Sequence, residues 1–292
     1  MASDFEAQVR ATNDKINART GRPLLTAILV GLVLGGSLLV SLIVIKELYM
    51  LFAGVLIFFV TFELASALRF AGRDVPRVAA IIAGLAVVPA AFYWGPAGHW
   101  LITLAGVAFV SLWRLAEYAV RPSHRTSGTA LLKDLGAGAL IQAYVAFLAG
   151  FTVLMTAQDG GQWWTLAFLI IVVSVDTGAY AAGVAFGRHK IAPVISPGKT
   201  WEGFAGSVAA ALLAGILLAI FMLQQPWWVG VILALAMVVT ATAGDFAESL
   251  IKRDLGIKDI STWLPGHGGF LDRLDSALLS GAVAWALFLI FT

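Results

Sequence analysis

The C-terminal part of the chain reads, from Trp227 to Phe291, WWVGVILALAMVVTATAGDFAESLIKRDLGIKDISTWLPGHGGFLDRLDSALLSGAVAWALFLIF. Two apolar segments, 227–249 and 270–291, enclose the charged stretch Ser249–Asp275. This stretch holds eight charged residues, in a chain that has only 19 Lys and Arg and 17 Asp and Glu. Because ionisable residues at membrane depth are costly and usually functional, their concentration beside two apolar segments indicates a binding or catalytic site.

The composition is that of a protein that crosses a membrane many times. Hydrophobic residues make up 60% of the chain and charged residues 12%, whereas soluble domains average about 45–50% and about 25%. We therefore predict an all-α polytopic membrane protein. The chain has no Cys, which excludes disulfides, thiolate metal sites and a Cys nucleophile. Its first 22 residues are polar and lack the apolar core of a cleavable signal peptide.

The apolar segments predict nine transmembrane helices, since a helix needs about 20 residues to cross the hydrocarbon core. The expected spans are 24–45, 48–68, 77–95, 98–116, 135–157, 163–186, 203–224, 227–249 and 270–291. Only Gly95-Pro96 separates the third span from the fourth. We divide the chain into a cytosolic N-terminal segment at 1–22, N-terminal transmembrane helices at 23–157 and a C-terminal transmembrane catalytic region at 158–292.

The Lys and Arg residues lie almost entirely on one side of these spans. Of the 19, all except Lys46 fall on the side of the N-terminus. By the positive-inside rule, we expect the N-terminus and the 249–275 stretch to face the cytosol of a bacterial cell, with the C-terminus outside its plasma membrane. In the N-terminal segment, Phe5, Val9 and Ile16 share a helical stripe, which fits either a helix on the inner membrane surface or a frayed polar tail.

The first candidate site residue is Asp176, in the sequence SVDTGAY near the cytoplasmic end of the sixth span. An acid inside a span costs about 2.5–3.5 kcal/mol on insertion scales, so it is usually functional or paired. Gly178, Gly183 and Gly187 leave room for a close helix contact or for a ligand. The alternative is a structural acid bonded to a neighbouring helix.

The second candidate is ISPGKTWEG, residues 195–203, before the seventh span. GKT is similar to part of a P-loop, but the Gly that this pattern needs five residues earlier is Pro193, and no strand is predicted before it. We reject the P-loop and expect Lys199 to bind phosphate near a helix start, with Glu202 orienting Lys199 or capping the helix. The alternative is an ordinary positive-inside loop followed by a capped helix.

Two acidic helix ends form the third candidate. Helical spacing places on one face of each end Asp245, Glu248, Ser249 and Lys252 in the eighth span, and Asp272, Asp275 and Ser276 in the ninth. Carboxylates brought together repel unless a cation neutralises them or one binds a proton. Mg²⁺ prefers a few carboxylates together with substrate phosphate oxygens. We therefore expect Asp245 and Asp272, on facing helices, to bind a metal ion, with Asp275 one turn deeper.

The loop between these two helix ends adds glycines, a histidine and bases. Gly268 and Gly269 would let backbone N–H groups approach a phosphate closely. His267 contacts either a phosphate or the leaving group, or it is a structural residue of the turn. The bases exceed what two or three carboxylates need, which indicates an anionic ligand, although some of them alternatively contact acidic lipid headgroups. These bases are Lys252, Arg253, Lys258 and Arg273.

The charged stretch resembles the signature of phosphatidate cytidylyltransferases, also called CDP-diacylglycerol synthases. The matching positions, with no departure among them, are Ser249, Lys252, Arg253, Lys258, Asp259, Pro265, His267, Gly268, Gly269, Asp272, Arg273 and Asp275. SVDTGAY, SPGKTWEG and GDFAES are similar to other segments of that family. The close resemblance covers the C-terminal part of the chain from residue 174, and the first half resembles the family only in being apolar and multi-spanning.

The resemblance implies an all-helical bundle in the lipid bilayer that forms a homodimer, with a polar cavity open to the cytosol. It implies that CTP and phosphatidic acid react to CDP-diacylglycerol and pyrophosphate with Mg²⁺, beside which a second, monovalent cation such as K⁺ is bound. The two metal-binding aspartates of the family match Asp245 and Asp272. No nucleic acid is expected as a partner.

The residues and the resemblance together define three groups of candidates. The catalytic candidates are Lys199, Lys252, Arg253, His267, Arg273 and Asp275. The candidates for substrate and cofactor binding are Asp176, Ser196, Lys199, Glu202, Glu248, Ser249, Lys258, Asp259, Gly268 and Gly269. The metal candidates are Asp245 and Asp272.

Four other functions fit the pattern less well. A secondary transporter would also carry acids and bases in its spans, but its site must be reachable from both faces, and here the charges gather at one. CTP-dependent kinases of isoprenoid alcohols are distantly similar and would release CDP instead of pyrophosphate. A CDP-alcohol phosphotransferase would need a paired DGxxAR and GxxxD pattern, which is missing. A purely structural membrane protein leaves the charged stretch unexplained.

Overall fold

The computed structural model describes residues 24–120, 127–193, 195–261, 263 and 268–292, so the expected N-terminal segment lies outside the described residues. The helices are α1 (Leu24–Ile43), α2 (Glu47–Phe70), α3 (Arg77–Val120), α4 (Gly128–Ile141), α5 (Leu148–Ala157), α6 (Gly161–Phe186), α7 (Trp201–Phe221), α8 (Trp227–Asp254) and α9 (Leu271–Phe291). A π-helical turn, Gln142–Phe147, joins α4 to α5. The strands β1 (Lys190–Ala192) and β2 (Ser196–Thr200) lie between α6 and α7.

The bundle has the surface of an integral membrane protein. Within the described residues, seven helical runs are long and apolar enough to cross a membrane, namely α2, α3, α4–α5 taken together, α6, α7, α8 and α9. Large apolar side chains on the outside of the bundle stay accessible, as Leu51, Leu104 and Val173 illustrate at 68%, 61% and 63% exposure. Helices that satisfy their own backbone hydrogen bonds can present such a surface to lipid. The predicted all-α membrane class is therefore confirmed.

The longest helix, α3, folds back on itself at Gly95. This residue has φ 63° and ψ −152°, which no helix allows, and Pro96 follows it. A Cβ on Gly106 would stand 3.2 Å from the Cβ of Ala83, so the two arms of α3 lie side by side. The turn coincides with the break that the sequence predicts between the third and fourth spans.

Glycines let neighbouring helices approach closely around the C-terminal half of the bundle. A Cβ on Gly178 of α6 would stand 2.6 Å from the carbonyl oxygen of Gly206 of α7. A Cβ on Gly215 of α7 would likewise stand 2.6 Å from the carbonyl oxygen of Gly230 of α8. Because helices in lipid associate largely through close packing, these contacts fix the α6–α7–α8 layer, which carries Asp176, Glu202 and the five candidate residues of α8.

Ion pairs join the connections at the two ends of the bundle. Beside the start of α2, Lys46 pairs with Asp159 of the α5–α6 connection at 3.2 Å. At the other end of α2, the buried Arg114 of α3 pairs with Asp134 of α4 at 2.8 Å and with Asp74 at 3.5 Å. Lys46 and Asp159, which the sequence assigns to one side of the membrane, thus lie together, as do Asp74, Arg114 and Asp134, which it assigns to the other.

The segment before α7 differs from its prediction. We expected a loop with no strand before it, but β1 and β2 pair as an antiparallel hairpin, with Lys190 opposite Thr200 and Ala192 opposite Ser196. The Thr200 hydroxyl then accepts a hydrogen bond from the Gly203 N–H at 3.1 Å and caps α7. Strands of three and five residues give almost no periodic signal, so the sequence does not reveal them.

Gly206→Ala should lower the thermal unfolding midpoint of the purified protein in detergent, because the new Cβ would stand 2.6 Å from the carbonyl oxygen of Gly178. Overpacking of this kind costs about 1–3 kcal/mol. The matched control is Gly136→Ala in α4, whose Cβ meets no atom within 4 Å. Since Ala favours a helix over Gly by about 1 kcal/mol, the control midpoint should stay level or rise. Equal midpoints for the two variants would contradict the close α6–α7 contact.

Candidate functional site

The site begins where α8 crosses α9 at Gly244. A Cβ on this residue would stand 3.0 Å from the carbonyl carbon of Asp275 and 3.1 Å from the Cα of Ser276, so the two backbones touch. The next residue of α8, Asp245, also reaches α9, because the Ser276 hydroxyl donates to its Oδ1 at 2.8 Å. Asp275 is 8% exposed, and its Oδ1 accepts the Ser276 N–H at 2.7 Å.

The first ion pair of the site joins the hairpin to α8. Lys199 of β2 forms a short ion pair with Asp245 through Oδ2. The ammonium also lies 4.6 Å from the centre of the Phe246 ring, a distance at which the ring face attracts a cation. The hairpin therefore places a base directly against one of the two metal candidates.

The second ion pair joins α8 to α9. Lys252 lies between two carboxylates, 2.7 Å from Glu248 Oε2 and 3.0 Å from Asp272 Oδ1. Asp272 Oδ2 accepts the Gly269 N–H at 2.8 Å. Glu248 is 2% exposed, and its second oxygen, Oε1, is buried with no hydrogen-bond partner. A buried oxygen without a donor is costly, so this atom is available to a ligand of positive character.

These residues line one polar cavity of about 250 Å³. Among the residues that the structure describes, ten line it, and all of them are candidates from the sequence: Ser196, Lys199, Asp245, Glu248, Ser249, Lys252, Asp259, Asp272, Arg273 and Asp275. They comprise five acids and three bases. The surplus of bases that we inferred from the sequence is therefore wrong for the cavity itself, whose formal charge is negative.

Asp176 lies in a neighbouring cavity of about 190 Å³ that shares Lys199 and Asp245 with the polar cavity. Its other walls include apolar side chains such as Ile191 and Phe204. The structure thus connects Asp176 to the charged site across the α6–α7 layer. A cavity whose walls combine two acids and one lysine with apolar side chains can hold a flat, partly polar group next to the charged site.

An apolar cavity of about 290 Å³ lies on the other side of Arg273. Its lining comes mainly from α1, α2, α6 and α9, with Leu38, Leu56, Val173 and Leu274 among the side chains. Arg273 belongs to the lining of both this cavity and the polar cavity. A molecule with an anionic end and an apolar end can therefore place the anionic end in the polar cavity and the apolar end in the apolar cavity.

The donors in the polar cavity fit a magnesium ion. Among the described residues, no three His, Cys, Asp or Glu side chains are already grouped as metal ligands. Mg²⁺, however, is usually held by one or two carboxylates together with substrate phosphates and waters, so a complete protein cage is not required. Asp245 and Asp272 line the same cavity, and the unpartnered Glu248 Oε1 is buried beside Lys252. These oxygen donors match a hard cation that a phosphate helps to bind.

Several sequence candidates lie outside the polar cavity. Glu202 accepts the N–H groups of Arg188 at 3.0 Å and His189 at 3.2 Å, so it fastens the start of the hairpin and does not orient Lys199. Arg253 Nε lies 3.4 Å from the carbonyl oxygen of Ile195, near the hairpin. Lys258 is not part of the cavity lining. His267 falls outside the described residues.

The two glycines of the loop have a different use from the one expected. The Gly269 N–H is taken by Asp272, so it is not free to approach a phosphate as we expected. A Cβ on Gly268 would stand 3.1 Å from Asp272 Oδ2, and Gly268 has φ 90°, which favours glycine. Both residues let the chain close around the Asp272 carboxylate.

One acid next to the site is missing from the sequence candidates. Glu63 of α2 is 2% exposed, and its carboxylate accepts hydrogen bonds from the backbone at the start of α9. The available signal was an acid within the apolar span 48–68, the same kind of signal that singled out Asp176. Its partners lie about two hundred positions later, so the sequence gave no reason to join them.

Comparison with known proteins shows what this chain is similar to. A model of the cytidylyltransferase family matches residues 25–291. A phosphatidate cytidylyltransferase of Mycobacterium leprae is 37% identical over 280 residues, which cover 94% of this chain and 90% of the relative. The protein of that name from Mycobacterium tuberculosis strain H37Rv is 37% identical over 92% of this chain and 83% of its own length. A Brucella suis protein with the same name is 41% identical over 150 residues, half of this chain and 56% of the relative.

Proposed function

This chain belongs to the cytidylyltransferase family and is a nucleotidyltransferase, and from that premise we propose that it condenses CTP with phosphatidic acid to CDP-diacylglycerol and pyrophosphate. The relatives that it matches over nearly their whole length carry the name of that activity. Because this is a family of enzymes, membership disfavours the two non-enzymatic alternatives, a secondary transporter and a purely structural membrane protein.

The observation that carries the proposal is the meeting of a polar and an apolar cavity at Arg273. A phospholipid substrate has an anionic headgroup and apolar chains, and its chains need not leave the bilayer when the two cavities adjoin. Arg273 then binds the lipid phosphate at the boundary, since guanidinium binds phosphate with two parallel hydrogen bonds. The cavity beside Asp176, which shares Lys199 with the polar cavity, receives the nucleoside of CTP.

In the proposed reaction an oxygen of the phosphatidate phosphate attacks the α-phosphorus of CTP. The bond from that phosphorus to the oxygen bridging it to the β-phosphate breaks, and pyrophosphate leaves. Phosphate is already ionised at neutral pH, so no covalent enzyme nucleophile is needed. Because both reactants are anions, positioning and charge neutralisation provide most of the rate acceleration. Lys199 and Lys252, which stand at the cavity wall, bind the phosphates of CTP.

Two aspartates on facing helices, Asp245 and Asp272, would hold the magnesium ion. When bound, Mg²⁺ supplies positive charge next to the phosphate oxygens. The five acids and three bases of the cavity support this requirement, because two anionic substrates gain little from a wall whose formal charge is negative. Buried beside Lys252, Glu248 Oε1 completes the set of oxygen donors.

We also propose nine membrane crossings, with the N-terminus and the polar cavity on the cytosolic side of the plasma membrane. The helix α3 is counted as one membrane-spanning run, but it turns back at Gly95 and its two arms lie side by side, which supports two crossings. The position of Lys46 as the single Lys or Arg on the opposite side supports the orientation. The homodimer and a second, monovalent cation such as K⁺ rest on the family resemblance.

The proposed function predicts specific products. Purified protein in detergent, incubated with CTP labelled at the α-phosphorus, phosphatidic acid and Mg²⁺, should transfer the label to a lipid and release unlabelled pyrophosphate. Omitting phosphatidic acid is the control and should leave the label in CTP. Release of labelled CDP together with a phosphorylated alcohol would identify a kinase and contradict the proposal.

Asp272→Asn should lower turnover by at least about 10²-fold, the usual scale for a lost electrostatic contact to a transition state, because a neutral amide is a poor Mg²⁺ ligand. The amide has the shape of the carboxylate but loses the ion pair with Lys252, so the thermal midpoint should fall and turnover is compared per folded molecule. Asp254→Asn at the exposed end of α8 is the control, since Asp254 does not line the cavity. Turnover of the Asp272 variant close to that of the control would remove Asp272 from the metal site.

Leu56→Trp should raise the KM for phosphatidic acid roughly tenfold, the effect of about 1.4 kcal/mol, because the larger side chain fills the apolar cavity. The KM for CTP should stay unchanged. Val55→Trp is the matched control. Val55 is adjacent to Leu56 on α2, its side chain is 44% exposed on the outside of the bundle, and it does not line that cavity. If the KM for phosphatidic acid rises equally in both variants, or if the KM for CTP rises, the acyl chains bind elsewhere.

A further inference from the structure

Glu63 of α2 is tied to the segment that leads into α9. Its Oε1 accepts the Phe270 N–H at 3.0 Å and its Oε2 accepts the Leu271 N–H at 2.9 Å. The Ser261 hydroxyl donates a short hydrogen bond to the same carboxylate. Glu63 does not line the polar cavity, so any effect on the reaction must pass through these partners.

The hydrogen bonds of Glu63 satisfy the first N–H of α9, that of Leu271, and the N–H of Phe270 just before the helix. The first N–H groups of a helix have no partner within it, and a negative charge there is favourable. Asp272 accepts the N–H of Gly269, and Glu63 accepts the N–H groups of the two residues that follow. The helix that carries Asp272, Arg273 and Asp275 is thus capped by an acid from a distant part of the chain.

Gly269 lies between the two capping acids. A Cβ at this position would stand 3.0 Å from Glu63 Oε2 and 3.0 Å from Asp272 Oδ2, closer than real side chains tolerate without adjustment. The position of the Asp272 carboxylate therefore depends on Gly269. The position of Gly269 depends in turn on Phe270 and Leu271, whose N–H groups Glu63 binds.

Aromatic side chains of α2 support the same segment. The rings of Phe59 and Phe270 stack with their centres 4.5 Å apart, and Phe62 lies 5.0 Å from Trp263. Phe59 and Phe62 precede Glu63 on α2 by four residues and one residue, so this stretch of the helix supports Trp263 and Phe270 on the two sides of the loop. Buried hydrogen bonds on an apolar platform are shielded from water, which makes the arrangement rigid.

We propose that Glu63 is a positioning residue of the cytidylyl transfer site, which sets the N-terminus of α9 and with it the Asp272 carboxylate and the Arg273 guanidinium. The kinetic part of this inference rests on the proposed function, whereas the structural part does not. Since a displacement of about 1 Å in a reacting constellation can cost 10²-fold in rate, a residue without substrate contact can have a large effect.

The test compares Glu63→Gln with Asp134→Asn. Asp134 is also a buried acid, 3% exposed and paired with Arg114, but it does not line the polar cavity. Both variants remove a buried charge and should lower the thermal midpoint of the purified full-length protein. Per folded molecule, only Glu63→Gln should lower kcat, by about 10- to 100-fold, while the KM for CTP changes less than about threefold.

A second readout is hydrogen exchange of the backbone amides, followed by mass spectrometry. In Glu63→Gln the amides at 269–272 should exchange faster than in the unsubstituted protein, and in Asp134→Asn they should not. If the unsubstituted protein shows no cytidylyl transfer, the proposed function fails, but the exchange result still tests the cap.

Should Glu63→Gln yield no folded protein, Gly269→Ala takes its place, because its Cβ presses on the same two carboxylates. It should show the same fall in kcat and the same faster exchange. The inference is overturned if the folded variant retains the kcat of the unsubstituted protein, or if the amides at the start of α9 exchange at the unsubstituted rate.

Discussion

The structure depends on the neutralisation of charged groups that lie between apolar helices. Two lysines neutralise carboxylates of the site. Lys199 of the hairpin pairs with Asp245 of α8, and Lys252 of α8 pairs with Glu248 and with Asp272 of α9. An acid left unpaired at this depth would cost several kcal/mol, so the ion pairs require the hairpin, α8 and α9 to meet in one place. Close contact at Gly244 makes the meeting of α8 and α9 possible.

The same constraint shapes the proposed chemistry. A cavity with more acids than bases repels an anion until positive charge is added, so nucleotide and metal ion are expected to bind together. Each lysine can exchange a carboxylate for a phosphate without leaving the cavity wall. Arg273 lines both the polar and the apolar cavity, so in the proposed reaction it would hold the lipid phosphate at the edge of the bilayer while the acyl chains stay among apolar side chains.

Much of this arrangement can be predicted from the sequence, because charged residues are scarce in a membrane protein. All ten residues of the polar cavity are among the sequence candidates, and the turn at Gly95 follows from a Gly-Pro pair between apolar segments. The pairing of lysines with aspartates, the hairpin and the cap by Glu63 do not follow. The ion pair of Lys199 with Asp245 and the cap by Glu63 join residues far apart in the chain, whose local patterns carry no mark of the partner. The hairpin is local, but its strands are too short to give a periodic signal. The surplus of bases was misjudged for two reasons. Counting along the chain included Arg253 and Lys258, which do not line the cavity, and it compared the bases with two or three carboxylates, whereas five acids are in the lining.

The most direct test of the central claim is an experimental structure of the protein with CTP and Mn²⁺, in which the anomalous signal locates the ion. The account predicts one Mn²⁺ coordinated by both Asp245 and Asp272 and by a phosphate oxygen of CTP, with Lys199 and Lys252 moved onto the phosphates. A Mn²⁺ bound away from these two aspartates, with both still paired to their lysines in the presence of CTP, would contradict it.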